Sequence, residues 1–138
     1  MKSVLAGTDD RPLGVLTLLA DPAPLEPLLQ QLRSHGICVD VAQTLADARR
    51  LFFGAGGHDC LVVAHDVKPA LAVRVLQSLR TVDPELPTAT FGPDLRHRGP
   101  DPRHREAPRR TAMLAGFHPG SRAGAGALLR FLLALPPR

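Results

Sequence analysis

His65, Asp66 and His118 are the side chains best able to do chemistry in this sequence, because an imidazole near a carboxylate can ligate a metal or move a proton. Two histidines on separate segments, with no third group at a ligand spacing, specify neither role. No catalytic, metal-binding or cofactor-binding residue is therefore expected. Gly124-Ala125-Gly126 has part of the spacing of a dinucleotide loop. It lies inside a helical pattern rather than after a strand, which suits close helix packing better than pyrophosphate binding. Two cysteines, Cys38 and Cys60, are too few for a disulfide scaffold or a four-ligand zinc site. The densest feature is electrostatic. Between Leu95 and Arg110 stand Arg96, Arg98, Arg103, Arg105, Arg109 and Arg110 against Asp101 and Glu106, a net of +4 that equals the charge of the whole chain. The remaining residues are balanced, so the high isoelectric point describes this segment alone.

The elements that must position these groups follow from hydrophobic period. Gly14 to Ala20 is a short apolar run stopped by Asp21-Pro22, as in a strand buried on both faces. Leu25, Leu28, Leu29 and Leu32 recur at helical spacing, with Pro22 and Pro24 at the amino end, Pro27 delaying or fraying the first turn, and Gly36 as a left-handed stop. Ile37 to Val41 alternates as a second strand. Thr44 and Asp47 then open a capped helix carrying Leu45, Ala48, Leu51 and Phe52, closed by Gly54, Gly56 and Gly57. Cys60 to Ala64 is a third strand, Ala70 to Arg80 a helix, and Thr88 to Phe91 a fourth strand. Residues Thr111 to Phe117 fit a fifth strand or a short helix equally well. Ser121 caps a last helix expected to bury Leu128, Leu129, Leu132 and Leu135.

Strands alternating with helices through short connections predict an α/β fold: a doubly wound parallel five-stranded sheet with helices on both faces. The expected organisation is a flexible leader over residues 1–12, a single domain over 13–135 and a tail over 136–138. At this length, folding buries roughly 68% of the surface the unfolded chain exposes, enough for one core. Four prolines and an apolar-free stretch make residues 93–110 a basic loop in place of a fourth helix.

The order of strand, Asp-Pro, Leu-rich helix, Gly36, strand, capped helix, then His58-Asp59-Cys60-Leu61-Val62-Val63, a helix ending Leu79-Arg80, and Asp83-Pro84-Glu85-Leu86-Pro87 resembles a response-regulator receiver domain. The resemblance covers residues 13–92 and returns at His118-Pro119 and the last helix. It implies the flavodoxin-like strand order 2-1-3-4-5. That order puts Cys38 and Cys60 on either side of strand one, two strand spacings or roughly 9.6 Å apart, beyond disulfide reach at roughly 7 Å. Both are expected to be buried apolar thiols.

In the family, two acidic residues after strand one hold Mg²⁺, an aspartate ending strand three takes the phosphoryl group, and a hydroxyl after strand four and a lysine after strand five contact it. Here those positions fall on Leu19 and Ala20, Ala64, Gly92, and His118. The resemblance is thus to a degenerate pseudo-receiver lacking the phosphoacceptor. The function expected is a phosphorylation-independent protein–protein interaction or regulatory module, not an enzyme and without cofactor. Its partner would be an output domain, a histidine kinase or a second copy, with the six arginines as the contact surface.

Two alternatives stand beside this. A register shift of one or two positions would restore the acids as Asp21 and Asp66 and make a phosphorylatable receiver; the plainer reading makes Asp21 a helix cap and leaves Asp66 in a solvated loop. The arginine segment could instead serve a nucleic-acid-associated regulator, although it lacks aromatic residues to stack on bases. No apolar run approaches the roughly 20 residues that span a bilayer, and no secretory pattern opens the chain. A cytoplasmic location without membrane contact is expected.

Overall fold

A computed structural model describes residues 12–92 and 111–136. Five parallel strands, β1 (Gly14–Leu18), β2 (Cys38–Ala42), β3 (Cys60–Val63), β4 (Thr88–Thr90) and β5 (Thr111–Met113), form one sheet in the order β2-β1-β3-β4-β5. The four α-helices among the described residues are α1 (Glu26–Ser34), α2 (Leu45–Gly54), α3 (Pro69–Arg80) and α4 (Arg122–Leu133). Parallel neighbours require crossovers, and right-handed ones place helices on both faces. Accordingly, α1 packs with α4 and α2 with α3. None of the described helices is long and apolar enough to cross a membrane.

Burial explains why the strands read as they do. Cys60, Leu61, Val62 and Val63 of β3 are all fully buried, because a central strand covered on both faces has no polar side. β2 lies at the edge and is mostly half-buried, with its first residue exposed. Cys38 is therefore exposed, against the expectation of two buried thiols, whereas Cys60 is buried as expected. Both pair with β1 in register, Gly14 opposite Cys38 and Val15 opposite Cys60, so β1 separates the two sulfurs.

The helix ends follow their local chemistry. Pro22 starts a 3-10 turn over Ala23–Leu25, and α1 begins only at Glu26, with Pro27 in its first turn, where a missing N–H is tolerated. At its other end Gly36 has φ +79°. Gly36 N–H donates to Arg33 and Ile37 N–H to Leu32, the paired bonds of a Schellman stop. Thr44 Oγ1 accepts the Asp47 N–H at 3.0 Å, and Ser121 Oγ accepts the Gly124 N–H at 3.0 Å. Boundaries differ in detail: β1 ends at Leu18, β4 at Thr90, and Leu135 is only half-buried beyond α4. The segment left open between strand and helix is a three-residue strand, after which residues 114–120 turn back to α4.

Candidate functional site

In a doubly wound sheet, chemistry belongs beyond the carboxyl ends of the strands. The ladder there runs one residue past the strands. Leu19 N–H donates to Ala42, Ala64 N–H to Leu18, and Phe91 N–H to Val63. These bonds fix Leu19, Ala64 and Phe91 in one row, so Ala20, Ala64 and Gly92 stand at the same edge. Leu19 and Ala64 are buried, and neither carries a group able to bind metal or attack phosphorus.

Polar groups around this row are engaged with one another. Asp66 Oδ1 accepts the Ala20 N–H at 3.1 Å and its Oδ2 accepts the Asp21 N–H at 3.0 Å. Gln43 Nε2 donates to the Ala20 carbonyl at 2.8 Å. The loop after β1 is thus held from the β3 side by a carboxylate and from the β2 side by an amide. Asp66 lies in the β3–α3 loop, as the plainer reading has it, and from there its carboxylate grips the backbone after β1. Asp21 does not cap the first helix as expected, since α1 starts after Leu25 with no side-chain cap; its Oδ1 instead accepts the Ala23 N–H at 3.1 Å, at the start of the 3-10 turn.

Gly92, which the resemblance aligns with a hydroxyl position, is closed in by its neighbour. A Cβ there would lie 3.0 Å from His65 Cα and 3.1 Å from its carbonyl oxygen. Contacts at 3.0–3.1 Å are tighter than side chains ordinarily make, so Thr or Ser would have to push the β3–α3 loop aside. His65 and His118 do converge, with ring centroids 5.2 Å apart and planes tilted by 50°. His118 Nδ1 accepts the Gly120 N–H at 3.0 Å, which leaves the proton of the neutral ring on Nε2. No group of three or more His, Cys, Asp or Glu that could hold a metal occurs among the described residues. The six arginines, Arg96 to Arg110, lie outside them.

Sequence reasoning missed a second polar cluster, at the opposite end of the sheet. His58 has a side chain only 4% exposed, and its Nε2 lies 2.8 Å from Asp40 Oδ2. Its ring stacks on Phe52 at 5.7 Å. Next to it Asp59 Oδ2 accepts the Gly14 N–H at 2.8 Å, tying β3 to the start of β1. A cavity of about 370 Å³ opens there, lined among others by Cys38, Asp40, His58, Asp59 and Asp83. Adjacent His58 and Asp59 were visible only as part of a family-like run. Their partners lie 18 and 45 positions away, which no local pattern encodes.

Comparisons with solved structures define the class to which this fold corresponds. The non-phosphorylated receiver domain of HemR from Leptospira biflexa superposes with a TM-score of 0.64 at 17% identity, covering 93% of this chain and 99% of that one. A response regulator receiver protein from Sinorhizobium medicae gives 0.60 at 18% identity over 89% and 96%. A chain from the complex of the histidine kinase ThkA with the response regulator protein TrrA gives 0.58 at 15% identity over 88% and 99%. The fold is that of response-regulator receiver domains. No family model and no curated protein matches the sequence.

Proposed function

We propose that this chain is a receiver-fold interaction module, working in signal transduction or transcription control without phosphoryl transfer. The observation that carries the reading is Ala64 at the end of β3, in the row where an acyl phosphate would have to form. The nearest carboxylate, Asp66, has both oxygens occupied by backbone N–H groups. Those bonds hold the carboxylate against the backbone that follows β1. Gly92 and His118 supply no hydroxyl and no lysine. With nucleophile, metal ligands and phosphoryl contacts all replaced, regulation passes to binding.

The partner is a protein. One structural neighbour is part of a histidine kinase complex with a response regulator, which supports that class of contact for this fold. The arginine segment provides charge that speeds encounter with an acidic surface. Adding acetyl phosphate and Mg²⁺ to the ¹⁵N-labelled chain should leave the amide resonances of residues 64–68, 90–92 and 118–121 where they are. Movement of those resonances that reverses as the donor is exhausted would overturn the reading in favour of a phosphorylatable receiver using Asp21 and Asp66.

A further inference from the structure

We draw no further inference here: the strongest candidate, the cavity at the amino edge of the sheet lined among others by Cys38, Asp40, His58, Asp59 and Asp83, is an acidic cluster beside one exposed thiol, and nothing among the described residues points to a ligand there, since the unpartnered His58 Nδ1 is itself closed to solvent.

Discussion

Asp66 shows how a loop carboxylate beyond a central strand ties neighbouring loops together. Its two oxygens hold the Ala20 and Asp21 N–H groups, while Gln43 holds the Ala20 carbonyl from the other side. Three loops after β1, β2 and β3 are thereby joined through one peptide unit. Hydrogen bonds to a charged acceptor contribute about 1.5–3 kcal/mol when well formed, and these are partly exposed, which lowers the figure. Replacing Asp66 by Ala should destabilise the fold by about 1–2 kcal/mol, seen as a lower urea midpoint at unchanged slope. An unchanged midpoint would mean that the β1–α1 loop holds itself.

Elements in this chain are governed by which face is covered. β1 sits between β2 and β3 and is buried from Val15 to Leu18, including Thr17, whose Oγ1 has no hydrogen-bond partner. An unpartnered buried hydroxyl carries its desolvation penalty without return. Thr17→Val keeps the branched shape and removes that oxygen, and should stabilise by about 1 kcal/mol, raising Tm in a thermal melt. A loss of stability would show that Thr17 has a partner in solution. The element pattern itself was legible because it is local: period, Pro22 and Pro27, Gly36 and Thr44 all act within a few residues of where they stand. Cys38 was misjudged because its exposure depends on β2 being at the edge, which is a property of the sheet. The grip of Asp66 on Ala20 and Asp21, the closure of Gly92 against His65, and the pairing of His58 with Asp40 are contacts between segments far apart in sequence. Residue type shows that Ala64 carries no nucleophile; it could not show these contacts around it.

At the scale of the whole molecule, a receiver fold and a receiver mechanism are separable. The sheet order and helix packing depend on apolar faces that are intact here. In receivers phosphoryl transfer depends on a few polar positions at one edge, and the resemblance assigns those positions here to Leu19, Ala20, Ala64, Gly92 and His118. In the proposed reading the second is lost while the first stands, as expected when function is a site carried on a scaffold. The charge follows the same division. The net of +4 resides in Leu95 to Arg110, so the rest of the chain is electrostatically balanced. The central claim, that this edge binds but does not accept a phosphoryl group, is tested most directly by intact mass after incubation with acetyl phosphate and Mg²⁺. The account predicts an unchanged mass for the wild-type chain. An acid-labile phosphoryl adduct that disappears in Asp66→Ala would contradict it.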